Sequence, residues 1–378
     1  MTLGPLDGFV VGITADRRWQ EQAELLERRG ASILHGPTMT TQYLASDEDL
    51  RRATQAVLDE PPDYVVATTG IGMRAWLEAA AAWGLGDLLA GVLARTRIVA
   101  RGPKAAAAVH AAGIDVWARS STEQMDALVD LLLAEPLPGR RVAVQEYGMP
   151  SPELTAALGA AGAAVVEVPV YRWRLPDDIA PVLRLVEAAC DGRVDAITFT
   201  SAPAVHNLFA IAERHGVADR LRRACNGRVV VACVGPVCAD GALKEGIADP
   251  LAPSVGRLGL LVRALSDRFE AERRTFTLGG VPVTLQGSAV EVGGERAELS
   301  PRERGLFEAL VDAGGTVVAR SALLDRVWGS PDADPHVLEV TVGRLRRRVG
   351  PAGAGLRAVA GRGYRLDGLG PAPRAVPL

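Results

Sequence analysis

The stretch that decides the fold of the last quarter of the chain reads DPHVLEVTVGRLRRR, residues 334–348. Asp334 and Pro335 are typical of a helix start, because the carboxylate caps N–H groups and proline is tolerated in the first turn. Apolar residues then recur at helical spacing and predict one stripe, formed by Leu338, Val342, Leu345 and Val349. Thr341, Arg344 and Arg348 are predicted to share an outward face, flanked by Arg346 and Arg347. The sequence therefore predicts a helix with an apolar side and a basic side.

The surrounding sequence predicts a small domain around this helix. Residues 276–299 read as short strands with glycine turns, and Ser300-Pro301-Arg302-Glu303 is a capping box that opens a helix. A second helix follows at 321–329, and LRAVAGRGYRL at 356–366 reads as a hairpin. Three helices, the last of them basic, followed by a hairpin predict a winged helix-turn-helix that binds double-stranded DNA. The alternative for such a charge run is a solvated helix face.

The same residues resemble the OmpR/PhoB class of response-regulator DNA-binding domains, through LSPRERGLFEAL, VWG, VTVGRLRRRV and GRGYRL. The resemblance implies that Thr341 and Arg344 read bases, that Arg346 holds phosphate, and that the wing approaches the minor groove. Ala360 stands where the class commonly has arginine, and Arg362 would substitute. The expected DNA-binding set is Thr341, Arg344, Arg346, Arg347, Arg348 and Arg362. A dimer on tandem half-sites is also implied by the resemblance.

Composition separates this end from the rest of the chain. Residues 1–270 carry 27 Lys+Arg and 33 Asp+Glu, whereas residues 271–378 carry 15 and 12, so only the end is basic. No apolar run reaches the roughly 18–20 residues of a membrane span, and the N-terminus lacks a signal peptide, so we expect a cytoplasmic protein. Four cysteines show no metal-ligand spacing and are predicted to be reduced thiols: Cys190, Cys225, Cys233 and Cys238.

The first 265 residues contain an internal duplication with an offset of about 132 residues, in which DYVVATTG (63–70) matches DAITFTSA (195–202). Each copy alternates short β-branched runs with helical stretches that end at glycine. This alternation predicts an α/β fold with one Rossmann-like or flavodoxin-like lobe of parallel strands per copy.

Four corners between a strand and the following helix are candidate ligand sites, because helix N-termini expose unpaired N–H groups there. Several inward-pointing N-termini would favour a ligand with several carboxylates or phosphates. The alternative is that these residues only cap helices. No nucleotide-binding, metal or nucleophile motif accompanies them. The corner residues are Thr68, Thr69, Gly70, Gly102, Pro103, Lys104, Thr200, Ser201, Gly235 and Pro236.

This duplicated pair, with its TS-type corners, its two Gly-Pro turns and VPVYRWRL at 168–175, resembles uroporphyrinogen-III synthase over residues 8–268. The resemblance implies cyclisation of hydroxymethylbilane without a cofactor, by two lobes joined by a two-stranded ladder. One lobe would be about 8–36 plus 174–268, and the other about 43–168. Thr68, Thr69 and Ser201 would contact the ligand, and Tyr171 would be catalytic. Ala105 and Cys238 replace the threonine that usually follows each Gly-Pro, with Cys238 still expected at the ligand.

We expect three segments: a bilobal domain (1–268), a linker (269–275) and a DNA-binding domain (276–368), before a disordered tail (369–378). No receiver phosphoacceptor is evident. The leading hypothesis is therefore a transcriptional regulator that senses a polyanionic, tetrapyrrole-related molecule, with nitrogen or sulfur assimilation genes as targets because uroporphyrinogen III leads to sirohaem. The alternatives are an active synthase with a DNA-binding appendage, and a bifunctional protein.

Overall fold

The computed structural model describes residues 3–44, 48–122, 124–148 and 151–371. These residues form two compact units, Met39–Pro176 and the remainder. The unit Met39–Pro176 is called lobe two here. The second unit contains lobe one (residues 3–38 and 177–270) and the C-terminal domain (residues 274–371). The two α/β lobes with parallel sheets and the winged helix-turn-helix confirm the predicted fold class.

Lobe one is built on four parallel strands in the order β11-β10-β1-β2. The strands are β1 (Val10–Ile13), β2 (Ser32–His35), β10 (Ala196–Phe199) and β11 (Val230–Cys233). The helices are α1 (Trp19–Glu27), α8 (Ala180–Cys190), α9 (Ala202–Arg214), α10 (Ala218–Cys225), α11 (Pro236–Lys244) and α12 (Leu258–Glu270). Strand β10 is buried along its whole length, which explains its β-branched and aromatic sequence AITF.

Lobe two repeats this plan with five parallel strands in the order β6-β5-β4-β7-β8. They are β4 (Tyr64–Ala67), β5 (Arg97–Ala100), β6 (Ala118–Arg119), β7 (Arg141–Gln145) and β8 (Ala164–Val168). The helices are α2 (Glu48–Asp59), α3 (Gly70–Ala82), α4 (Gly86–Leu93), α5 (Pro103–Ala111), α6 (Met125–Leu133) and α7 (Pro152–Ala160). A two-stranded antiparallel ladder, β3 (Thr40–Tyr43) with β9 (Tyr171–Arg174), places Tyr43 opposite Tyr171.

The C-terminal domain opens with an antiparallel sheet in the order β15-β14-β13-β12-β19. Its strands are β12 (Arg274–Leu278), β13 (Val281–Gln286), β14 (Ala289–Val292), β15 (Glu295–Glu298) and β19 (Leu369–Pro371). Helices α13 (Pro301–Asp312), α14 (Arg320–Trp328) and α15 (Pro335–Arg348) follow. The wing is the sheet β16-β18-β17, made of β16 (Val318–Ala319), β17 (Leu356–Val359) and β18 (Gly363–Leu366).

The caps predicted for this domain are present. The Ser300 side chain accepts from the Glu303 N–H, and the Glu303 carboxylate accepts from the Ser300 N–H, which completes the capping box of α13. The Asp334 carboxylate accepts from the His336 N–H at 2.9 Å and caps α15. Both helices therefore begin where the sequence placed them.

Two boundaries differ from the prediction. Helix α12 continues to Glu270 and β12 begins at Arg274, so only residues 271–273 connect them, instead of the predicted linker 269–275. Residues 369–371 were predicted to be a disordered tail, but they pair with β12 because the carboxyl end of the wing returns to the open edge of that sheet. The rest of that predicted tail, residues 372–378, lies outside the described residues. Along the described chain, no helix is long and apolar enough to cross a bilayer.

Candidate functional site

One predicted corner, in lobe two where β4 and β7 end side by side, is organised by a network of side-chain hydrogen bonds. Thr69 is the N-cap of α3, and its hydroxyl accepts from the Gly72 N–H at 3.2 Å. The Gln145 amide donates to the Thr69 hydroxyl at 3.1 Å and accepts from the Thr69 N–H at 3.3 Å. The Tyr171 and Thr69 hydroxyl oxygens are 3.3 Å apart. The structure thus brings together two predicted site residues, Thr69 and Tyr171.

The direction of the Thr69–Tyr171 hydrogen bond follows from counting donors. A threonine hydroxyl has two acceptor lone pairs and one proton. Gly72 and Gln145 both donate to the Thr69 oxygen, so Thr69 has only its proton left for Tyr171. The Tyr171 oxygen therefore accepts from Thr69. A tyrosine hydroxyl is a group that can donate a hydrogen bond to an anionic or leaving oxygen.

Gln145 was missed by the sequence reasoning, although it organises the site. Its side chain is completely buried at the end of β7 and also donates to the Glu146 carbonyl at 2.9 Å. The feature of the sequence that could have indicated its role is that a polar residue ends the buried run VAVQ (142–145). A β-carbon at Gly72 would lie 2.0 Å from the Gln145 amide nitrogen, so the amide can occupy this position only because residue 72 is glycine.

The next residue in the chain, Glu146, has a buried carboxyl group. Burial raises the pKa of Glu146, the nearby Glu167 raises it further, and Arg172 opposes both effects. Like charges and loss of hydration both disfavour the ionised carboxylate. The Glu146 carboxyl group therefore resists ionisation more than an exposed glutamate does.

Thr68 has a different role from the one predicted. Its side chain is buried, and its hydroxyl donates to the Gln145 carbonyl at 2.8 Å, so it ties β4 to β7. The prediction for Thr68 is therefore revised to a structural role, and the ligand contact of Thr69 stays a prediction.

The second corner of lobe two places another helix start beside the first. Gly102 caps α5 with an extended backbone and Pro103 occupies its first turn. A β-carbon at Gly70 would lie 2.2 Å from the Lys104 carbonyl oxygen, so α3 and α5 approach closely only because Gly70 lacks a side chain. The Lys104 side chain is exposed. Two adjacent helix N-termini and one lysine give this edge a positive electrostatic character.

The corners of lobe one are less complete. Ser201 is the N-cap of α9, and its side chain makes no capping hydrogen bond, while Thr200 is exposed. Gly235 and Pro236 open α11 in the same way as Gly102 and Pro103 open α5. Cys238 is buried, and its thiol donates to the Phe199 carbonyl at 3.6 Å. The prediction of Cys238 as a ligand contact is therefore revised, since its side chain is directed into the core.

The four cysteines, all among the described residues, have free thiols. Burial raises the pKa of Cys225 to about 12. The Cys238 thiol and burial together raise the pKa of Cys233. Thiolates are the reactive form, so these two buried cysteines are chemically inert.

The exposed face of α15 differs from the predicted one. Thr341 is buried and its hydroxyl donates to the Val337 carbonyl at 2.7 Å, so its predicted place on the outward face is wrong. At about 100° per residue, Thr341 lies only about 70° from the centre of the apolar stripe. Arg344, Arg346, Arg347 and Arg348 are exposed. The sequence reasoning did not assign the other exposed residues of this helix, which are Pro335, His336, Glu339 and Val340.

Arg346 holds the wing to the helix. Its Nε and Nη2 atoms both donate to the Leu356 carbonyl oxygen, at 3.0 and 2.8 Å. Leu356 begins β17, so Arg346 fixes the wing strand, and these two hydrogen bonds favour a positioning role over the predicted phosphate contact. Arg362 is exposed in the turn between β17 and β18, at the tip of the wing. The exposed arginines of helix and wing form a basic surface that can neutralise phosphates.

Comparisons with known proteins match both parts of the chain. The family described as uroporphyrinogen-III synthase HemD matches residues 20–262, and the family described as transcriptional regulatory protein, C terminal, matches residues 294–366. A crystal structure of mutant uroporphyrinogen III synthase from Thermus thermophilus is 34% identical with a TM-score of 0.58, and covers 68% of this chain and 99% of its own.

Two curated proteins extend these matches. The uncharacterized protein YjjA of Bacillus subtilis is 29% identical over 263 residues, which are 70% of this chain and 97% of that protein. The transcriptional regulatory protein PrrA of Mycobacterium tuberculosis is 34% identical over 120 residues, which are 31% of this chain and 51% of that protein.

Proposed function

The chain belongs to the uroporphyrinogen-III synthase HemD family and ends in an OmpR/PhoB-type DNA-binding domain, and from this premise we propose that it is a transcription regulator whose lobes bind a polyanionic ligand. The observation that carries the DNA-binding part is the basic surface of α15 and the wing tip. Each arginine that meets a phosphate releases counterions and adds salt-dependent affinity, and an arginine aimed at guanine discriminates between bases.

In this proposal, Arg344 reads base edges, whereas Arg347, Arg348 and Arg362 contact the backbone. Selection of binding sites from a random duplex library by the full chain tests the assignment. A recovered consensus whose specificity relaxes at one position in Arg344→Ala supports base reading. Arg347→Ala is the matched control, and it should weaken all sequences about equally. Failure to recover any consensus would contradict specific recognition.

Support for an anionic ligand comes from the edge of lobe two. The starts of α3 and α5 lie side by side there, Lys104 is exposed beside them, and the Thr69 and Tyr171 hydroxyl oxygens lie 3.3 Å apart at the same corner. A tetrapyrrole precursor carries several carboxylates, which suits such donors. Calorimetric titration with hydroxymethylbilane is the test, with Lys104→Gln expected to weaken binding. Heat of binding equal to that of a buffer blank would contradict this part of the proposal.

A second function, synthase activity, is favoured by one observation, the hydrogen bond between Thr69 and Tyr171. Purified protein is incubated with enzymatically generated hydroxymethylbilane, and isomer III is scored against the isomer I that forms without an enzyme. Isomer III above background that disappears in Tyr171→Phe supports an active enzyme. Isomer I alone leaves a sensor that retains the fold without the reaction.

The target genes follow from the ligand chemistry. Because uroporphyrinogen III leads to sirohaem, the cofactor of assimilatory nitrite and sulfite reductases, we propose nitrogen or sulfur assimilation genes as targets. Unchanged growth on nitrate or nitrite after loss of the gene would count against the nitrogen assignment. By analogy with its class, we also propose that two copies bind tandem half-sites, which sedimentation of the DNA complex would measure.

A further inference from the structure

The C-terminal domain contacts lobe one through a buried ion pair. Arg304 of α13 donates through Nη1 to the Asp195 carboxylate at the start of β10, and only 16% and 11% of the two side chains are exposed. The pKa of Arg304 is raised, because Asp195 and Glu308 together outweigh the effect of burial. Removing one partner of such a buried pair leaves an uncompensated buried charge, which strongly destabilises the arrangement.

The internal duplication gives this ion pair a counterpart in lobe two. Asp195 pairs its backbone with Val10, and its Oδ2 accepts from the Val10 N–H at 2.8 Å. Asp63, the equivalent residue in lobe two, pairs with Arg141 in the same way, and its Oδ2 accepts from the Arg141 N–H at 2.9 Å. The two aspartates therefore carry out the same task, which is to join the starts of two neighbouring parallel strands.

The other carboxylate oxygen of each aspartate, Oδ1, accepts a hydrogen bond from an arginine. In lobe two this arginine belongs to the lobe itself, whereas in lobe one it belongs to the C-terminal domain. In lobe two, Arg140 of the lobe itself donates to the Asp63 Oδ1 at 2.7 Å. The position equivalent to Arg140 in lobe one is Phe9, which cannot donate. The guanidinium of Arg304 instead lies over the Phe9 ring, 5.7 Å from its centroid, and donates to Asp195. The C-terminal domain thus supplies the arginine that lobe one lacks.

Backbone contacts surround this ion pair. Gln286 donates to the carbonyls of Gly4 and Asp7, at 2.7 and 2.9 Å, and the Ser288 N–H donates to the Gly8 carbonyl at 2.7 Å. Gly8 has a φ of 79°, and a β-carbon there would lie 2.3 Å from the Ala289 nitrogen. The hairpin between β13 and β14 therefore fits directly against the N-terminal turn of lobe one.

We propose that the start of β10 is a docking surface for the chain's own DNA-binding domain, with Asp195 and Arg304 as the residue pair that fixes it. Helix α15 is then held in a fixed position relative to lobe one, and the connection between them does not depend on a flexible linker alone. Asp195 directly precedes β10 and the Thr200–Ser201 corner directly follows it, so one strand joins that corner to the DNA-binding domain. The proposal is independent of which ligand the lobes bind.

Spin-label distance measurements on the full chain test this docking. Labels are placed at His215→Cys in lobe one and Arg357→Cys in the C-terminal domain, in a Cys190→Ser background. Both labelled positions are exposed. The proposal predicts a single narrow distance distribution. A domain tethered only by residues 271–273 would spread by about 10 Å, from the reach of a three-residue flexible connection.

Arg304→Met is expected to broaden the distribution toward that limit, and Asp195→Asn, as a second variant, is expected to act in the same direction. Asp63→Asn is the matched control, because it removes the same kind of contact inside lobe two and should leave the distribution narrow. Circular dichroism selects variants that remain folded. A broad distribution in the unaltered protein, or an Arg304→Met distribution as narrow as the original, would overturn the proposal.

Discussion

Replacing Arg346 and Arg347 separately should distinguish a positioning arginine from a DNA-contacting one. Arg346→Ala removes two hydrogen bonds to the Leu356 carbonyl. Hydrogen bonds from charged groups contribute about 1.5–3 kcal/mol, and the partial exposure of this guanidinium lowers the expected loss to about 1–2 kcal/mol. If the C-terminal domain unfolds together with lobe one, this loss lowers Tm by about 2–8 °C.

Arg347→Ala should have the opposite profile. Its side chain lies on the exposed face of α15, so its removal should change stability by less than about 0.5 kcal/mol. If Arg347 neutralises one phosphate, the slope of log affinity against log salt concentration should become shallower by about 0.9. Calorimetry of the full chain and DNA titrations at several salt concentrations measure both quantities. A larger slope change in Arg346→Ala than in Arg347→Ala would refute the assignment.

Three further predictions concern single side chains. Thr341→Ala should change operator affinity less than threefold in a DNA titration, because its hydroxyl is bonded inside the helix. Glu146→Gln should flatten the pH dependence of lobe two stability: the pKa of Glu146 is raised on folding, so its contribution is present below its ordinary value of 4.5 and is lost as pH rises through the folded pKa. Gly70→Ala should destabilise lobe two by about 1–3 kcal/mol in urea unfolding, because its β-carbon would meet the Lys104 carbonyl oxygen. Gly91→Ala in α4 is the control: its β-carbon meets nothing within 4 Å, so it should stabilise lobe two by up to about 1 kcal/mol.

The sequence was sufficient for elements whose pattern is local. The capping box at Ser300, the stripe of α15 and the β-branched strands of both lobes each depend on residues close in sequence, and the structure confirms them. The duplication further indicated that both lobes share one plan. Helical periodicity also places Thr341 near the edge of the apolar stripe. The prediction of an outward position for Thr341 was therefore avoidable from the sequence.

The remaining differences between prediction and structure concern contacts between distant residues. Gln145 reaches Thr69 across 76 positions and Arg304 reaches Asp195 across 109. Whether Arg346 binds phosphate or a carbonyl depends on where β17 lies, and whether Cys238 faces a ligand or the core depends on the rotation of α11. Neither is encoded in spacing along the chain, so local patterns could not have settled them.

The most direct test of the central claim is the affinity of the full chain for its selected DNA site, measured with and without hydroxymethylbilane. Ligand control of DNA binding requires different ligand affinities in the free and DNA-bound protein. The account predicts a change of roughly fivefold or more in the dissociation constant, as is typical of coupled sites. Identical affinities at a saturating ligand concentration would contradict a sensor and leave two independent functions on one chain.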